Sequence, residues 1–337
     1  MKQKLGLIFA VLLMLTACGR KDEKLEIRFY KPANFPEPVY DFSKNPVTSA
    51  GFRLGKELFY DGRLSRDGSI NCGSCHEQSA AFTQHGHDLS HGIDDRLTLR
   101  NALPIMNLAW EKNFFWDGGV FHLDLFAVSP IENPDEMDES LSNVLEKLRK
   151  DAKYRRLFKE AFGSEDITTE RFLKALSQFQ LMCISANSRY DKYVRGEGVQ
   201  LSGEEKAGLD VFKQKCASCH AGELFTDLSF RNNGLKVFNA DDTGRGRITL
   251  NPEDKYKFKV PSLRNVEASA PHMHDGRFRT LDEVLEHYAS GIQPSETLDP
   301  LLRNGIPLSA AEREQLKAFL LTLKDDEFLR NPLLSEF

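Results

Sequence analysis

The chain has 337 residues, 40% of them hydrophobic and 28% charged, enough for two domains of ordinary size and unlike a disordered or membrane-spanning sequence. Its formal net charge of −5 offers no basic footprint for nucleic acid, so no nucleic-acid partner is expected.

At the amino terminus Lys2 and Lys4 precede an apolar run from Leu5 to Leu15, followed by Leu15-Thr16-Ala17-Cys18. The run is shorter than the ~20 residues of a spanning helix, so residues 1–17 read as a secretory signal. Its end resembles a bacterial lipoprotein lipobox, in which Cys18 becomes the lipidated terminus; an ordinary signal peptide is the alternative. The chain is therefore expected in the periplasm or cell envelope, held at a membrane surface by acyl chains. Residues 18–45 contain Pro32, Pro36 and Pro38, with Pro46 at the edge, and read as an extended tether.

Beyond the tether the pattern is helical. Leu141, Val144, Leu145 and Leu148 recur at helical spacing, as do Phe172, Leu173, Leu176 and Phe179. Three capping boxes open later helices: Ser202 with Glu205, Thr280 with Glu283, and Ser309 with Glu312. No strong strand alternation appears, and loops rich in Gly, Asp and Asn, such as residues 232–254, separate the helices. The fold class is all-α.

Cys72-Gly-Ser-Cys75-His76 and Cys216-Ala-Ser-Cys219-His220 repeat one motif, with the histidines 144 residues apart. The spacing suits a c-type haem: two cysteines form thioethers along one haem edge and the adjacent histidine turns back onto the iron. The alternative for CxxC alone is zinc or a redox dithiol, against which stand the following histidine, the repetition and the export signal. Two cytochrome c-like domains, each wrapped around one covalently bound haem, are expected at residues 46–197 and 198–337. Of six cysteines, only Cys183 is left without a role, and an inert buried thiol is expected there.

Several blocks occur in order: Leu54-Gly55-Lys56-Glu57-Leu58-Phe59-Tyr60-Asp61, Arg100-Asn101-Ala102, Phe115-Trp116-Asp117-Gly118, Pro130-Ile131-Glu132-Asn133-Pro134-Asp135-Glu136-Met137 and Val260-Pro261-Ser262-Leu263-Arg264-Asn265. Together they resemble the bacterial di-haem cytochrome c peroxidases and their relative MauG, over nearly everything after the tether. The resemblance implies that the His76 haem is the peroxidatic one and the His220 haem the electron-transfer one. It places Glu136 as distal acid–base and Trp116 as a relay between the haems. It puts His91 near a loop histidine that ligates the first iron in a resting form, with His85 and His87 close by. It puts Asn101, Ser269 and Pro271 at an interdomain calcium bound largely through backbone oxygens. Where the family commonly has glutamine, four residues before Pro130, this chain has Phe126.

Leu281, Val284, Leu285 and Tyr288 form one face of the helix opened by Thr280. Tyr288 falls where the peroxidases have a methionine ligand to the second iron and MauG-like members have tyrosine. Met273 and His287 are rival ligands. An anionic oxygen donor would favour ferric iron and lower the potential, where methionine raises it. The expected function is peroxidase: hydrogen peroxide reduced to water with electrons from a small protein such as a monohaem cytochrome c or a cupredoxin. The alternatives are MauG-like oxidation of Trp or Tyr in a partner protein, and a passive two-haem carrier. A homodimer is compatible with any of these.

Overall fold

The computed structural model describes residues 26–336. The signal, Cys18 and the first part of the expected tether lie outside them. The described chain is largely helical; its sheet is one two-residue ribbon, with Phe230 opposite Lys259 and Arg231 opposite Phe258, antiparallel.

The first core is built on the helices Ser49–Phe59 and Thr169–Leu181. Thr48 caps the first by accepting from the Gly51 amide, and Thr168 caps the second by accepting from that of Arg171. Phe52, Leu54, Leu58 and Phe59 line the buried stripe of one, and Phe172, Leu173, Leu176 and Phe179 that of the other. The helices approach so closely that a Cβ on Gly55 would lie 2.0 Å from the Ala175 carbonyl oxygen. Leu141–Lys150 and Ala152–Phe162 complete this layer; Val144, Leu145 and Leu148 are buried as their spacing requires.

The second core uses the same device. Gly203–Lys215 packs on Ala310–Leu321, and a Cβ on Gly208 would lie 1.8 Å from the Gln315 carbonyl oxygen. Phe212, Phe225, Leu316 and Phe319 fill the space between. All three capping boxes expected from the sequence form, at Ser202, Thr280 and Ser309.

Two segments pack differently from expectation. Residues 26–45 form no helix or strand, turn twice, and are bound: Phe35 is buried, Trp110 Nε1 donates to the Pro36 carbonyl, and Asn34 donates to Asp191 at 2.8 Å. They form a strap, because their aromatic residues find partners that a free tether would lack. Phe328, Leu329 and Leu334, expected with the second unit, belong to the first core. Gln78 holds this return by donating to the Phe328 and Asn331 carbonyls, both at 2.9 Å.

Between the cores lies a buried ion pair. Arg264 and Asp191 are both fully buried and joined by two bonds of 2.7 and 2.8 Å. The guanidinium also donates to the Glu223 carbonyl and stacks 4.5 Å from the Phe35 ring. It thereby clamps the strap, the Arg189–Val194 helix and the loop after the second CxxCH motif.

Candidate functional site: two cavities sharing one wall

Cys72–Cys75 is a single helical turn capped reciprocally by Asn71 and Ser74. At its end the His76 amide donates to the Cys72 carbonyl at 3.0 Å, and the His220 amide does the same to Cys216. Each turn thus sets the histidine back beside its cysteines. His76 Nδ1 donates to the Phe82 carbonyl at 2.6 Å; His220 Nδ1 faces the carbonyls of Phe225 and Pro261 at 3.1 and 3.2 Å. A carbonyl only accepts, so Nδ1 carries the proton and Nε2 keeps its lone pair. Burial lowers both imidazole pKa values, which keeps the rings neutral as a metal ligand must be.

His76 and Cys75 line a cavity of about 570 Å³, and Cys216, Cys219 and His220 line a second of about 510 Å³. Both volumes are of cofactor size. Burial pushes the Cys72 and Cys216 thiols up to about 12 and Cys75 to about 11. A reactive dithiol needs the opposite shift, from a cation or a helix amino terminus. Among the described residues no group of three or more His, Cys, Asp or Glu side chains is arranged to hold a metal ion. The donor set therefore fits two covalently bound haems better than zinc or a dithiol.

The two cavities share the run Asn101–Pro104, Trp116, Lys259, Pro261 and Ser262. Trp116 is buried, with Nε1 donating to the Asn101 carbonyl at 2.9 Å. Its neighbour Asp117 is held by Arg100 at 2.7 Å and Arg247 at 2.9 Å, while Arg100 also grips Asp242. This network pins the Trp116 loop to the second half of the chain. His274 stacks on Phe258 at 3.7 Å beside Trp116, and burial holds it neutral, down to about 4.

Glu136 lines only the first cavity. Burial raises its carboxyl above the usual range, and Asn133 Nδ2, donating at 2.8 Å, partly opposes the rise. Phe126 lines the same cavity, packed on Phe115 at 4.7 Å and Phe114 at 5.6 Å, so that wall is apolar.

In the second cavity the helix Leu281–Glu286 passes into a π-helical turn, His287–Gly291. Val284, Leu285 and Tyr288 face the cavity, and burial pushes the Tyr288 phenol up to about 12. Met273 also lines it, with its sulfur accepting from Asn233 at 3.4 Å. His287 is not a lining residue; its Nε2 is engaged by the Asn233 carbonyl at 3.0 Å.

Two expected sites are not assembled. The His91 ring is outside the first cavity, tied at Nδ1 to Asp95 at 2.5 Å and half open to solvent. Asn101 and Pro271 do meet, but Asn101 Nδ2 donates to the Pro271 carbonyl at 2.7 Å, while Ser269 turns to the Val266 carbonyl. A hard cation needs oxygens converging on it; as placed, the Pro271 carbonyl accepts from Asn101, and calcium gains no support from this arrangement. Cys183 is fully buried, with its sulfur on the Phe179 carbonyl, as an inert thiol would be. Sequence reasoning missed Lys259, whose place beside the Val260–Asn265 block was the one available signal, and Asn133, which lay inside a quoted block unrecognised.

The match to known proteins decides the family. The family model for di-haem cytochrome c peroxidase (CCP_MauG) matches residues 49–199. The methylamine utilization protein MauG of Methylorubrum extorquens is 38% identical over 305 residues, 89% of this chain and 84% of that one. The chain belongs to the di-haem cytochrome c peroxidase and MauG family. Cytochrome c551 peroxidase of Nitrosomonas europaea is 37% identical over 261 residues, 74% of this chain and 76% of its own. A solved MauG-like protein associated with microbial copper homeostasis superposes with a TM-score of 0.84 at 35% identity, covering 91% of this chain and 98% of that one. Membership of this family implies c-type haems as cofactors.

Proposed function

We propose that this chain is a di-haem peroxidase that reduces hydrogen peroxide to two waters, using two electrons and two protons. The observation that carries the reading is the asymmetry of the cavities. Trp116 belongs to both, but the protonatable Glu136 belongs only to the one lined by His76. A haem held through Cys72, Cys75 and His76 supplies, when bound, the redox chemistry that cleaves the O–O bond.

The chain's own residues do the rest. Glu136, with its raised proton affinity, takes the proton from one peroxide oxygen and returns it to the other, which leaves as water. Asn133 fixes the carboxylate's orientation. Phe114, Phe115 and Phe126 keep one wall dry. Cys216, Cys219 and His220 would hold the haem through which electrons enter, Tyr288 lines the same cavity, and Trp116 belongs to the wall between the two. The electrons come from a small reduced protein, a monohaem cytochrome c or a cupredoxin. No helix of the described residues is long and apolar enough to cross a membrane. Members of the family are periplasmic; anchoring of this chain through Cys18 is part of the proposal.

The MauG-like reading, oxidation of Trp or Tyr in a partner protein, is favoured by Tyr288, which lines the second cavity where a methionine would suit a store for one electron. One experiment separates the readings. Peroxide is added to the holoprotein with reduced small cytochrome, and separately with a Trp- and Tyr-bearing partner protein. Rapid cytochrome oxidation, lowered about 10²- to 10⁴-fold in Glu136→Gln with both haems loaded, is expected. Slow cytochrome oxidation with covalent change in the partner's Trp or Tyr would replace the peroxidase reading by the second. Unchanged turnover in Glu136→Gln would remove Glu136 from the mechanism.

A further inference from the structure

Lys259 is a buried lysine, 5% exposed, on the wall that the two cavities share. Its backbone position follows from the ribbon: Lys259 pairs with Phe230, and its amide donates to the Trp116 carbonyl at 2.7 Å. The side chain runs from there to Glu111, with which it forms a short ion pair, and to the Asn113 carbonyl at 3.3 Å. An ammonium has three donors. Among the described residues two acceptors are found, so one donor remains for a group in the cavity. Glu111 lines the first cavity and not the second. The charged end of Lys259 therefore belongs to the His76 side, while its stem forms part of the wall on the other.

A buried charge pair costs free energy through desolvation, and replacing it by apolar residues is often neutral or stabilising. Stability alone gives little reason for such a pair at the junction of two redox cavities. A haem brings two carboxylates on its propionate arms, and those are acceptors of the kind the third donor lacks.

We propose that Lys259 and Glu111 form an electrostatic anchor for the His76 haem, in which Lys259 donates to a haem carboxylate and the net charge of the pair sets that haem's reduction potential. Reduction adds one negative charge, so a nearby cation favours the reduced form and a nearby anion opposes it. The inference rests on haem occupancy and not on the peroxidase reading, since its readout needs no peroxide.

The test is a charge cycle on the haem-loaded protein: wild type, Lys259→Gln, Glu111→Gln and the double variant, each titrated by optical spectroelectrochemistry. Loss of the cation should lower the His76 potential by about 59 mV, a tenfold change in the one-electron equilibrium. Glu111→Gln should raise it, the double variant should return towards wild type, and the His220 haem should move less in every case. Lys259→Arg, which keeps the charge, should stay near wild type. If Lys259→Gln loads haem poorly, the double variant measured against Glu111→Gln gives the same comparison with no unpaired buried carboxylate. Shifts of the same sign in both single variants, or none, would overturn the proposal, as would a larger shift at His220.

Discussion

At the scale of single residues, Arg264 and Asp191 show how much one pair can hold. Asp191 accepts from Arg264, from the Ser188 amide and hydroxyl, and from Asn34. Burial alone would raise its carboxyl pKa, but these donors outweigh burial and lower it from 3.8. A carboxyl with a depressed folded pKa adds stability above its unfolded pKa and loses it as pH falls through the folded value. Asp191→Asn should therefore cost about 3–5 kcal/mol near neutral pH, because it leaves Arg264 buried without its counter-charge. The variant should also lose less stability than wild type on acidification below about pH 4. Denaturant unfolding at several pH values checks both; a parallel acid limb in the two proteins would show that Asp191 is not a source of it. Tyr288 illustrates the other limit of this scale. Its place on the apolar face is readable from spacing, whereas the freeing of the cavity from His287 depends on the carbonyl of Asn233.

At the scale of elements, each half is organised by a helix pair that meets at a glycine. Gly55 and Gly208 need no unusual backbone; what matters is that the facing carbonyls of Ala175 and Gln315 stand where a Cβ would be. A methyl at either point must push two helix backbones apart, and overpacking of a tight core costs about 1–3 kcal/mol or more. Gly55→Ala should destabilise the fold and disturb the His76 haem spectrum first, and Gly208→Ala the His220 haem. Haem spectra followed through thermal unfolding read this out, and equal disturbance of both haems by each variant would contradict it. The π-helical turn at His287–Gly291 is the other element-level device, since it follows directly on the capped helix opened by Thr280 and includes Tyr288.

At the scale of the whole molecule, the strap and the carboxyl-terminal return join the halves alongside the ion-pair network around Asp117. The strap at residues 26–45 lies on Trp110 and Arg264, and the carboxyl-terminal return inserts Phe328 against Phe82 at 5.7 Å. Phe328 is buried, so Phe328→Ala should cost about 3–5 kcal/mol. Because it sits in the core of the His76 half while covalently following the second half, the loss should appear in one cooperative transition. Calorimetry that showed two separated transitions, with only one shifted, would mean that the halves unfold independently.

Much of this protein is local in origin and so is legible along the chain. The CxxCH turns need five consecutive residues, the capping boxes four, and the amphipathic helices a regular spacing; each declares itself wherever it occurs. The family blocks carried Glu136 and Trp116 for the same reason, being short and contiguous. What the sequence could not decide are contacts between residues far apart in it. The strap reads as a tether and the return as part of the second unit, because their partners, Arg264 and Phe82, are hundreds of positions away. The resemblance puts His91 near the first iron and Asn101 and Pro271 at a calcium; only the tertiary structure shows the His91 ring beside Asp95 and Asn101 donating to the Pro271 carbonyl. Lys259 drew no notice because a lone lysine beside a motif is usually solvated; only the tertiary structure buries it between two cavities, where a charge without water is costly enough to require a partner.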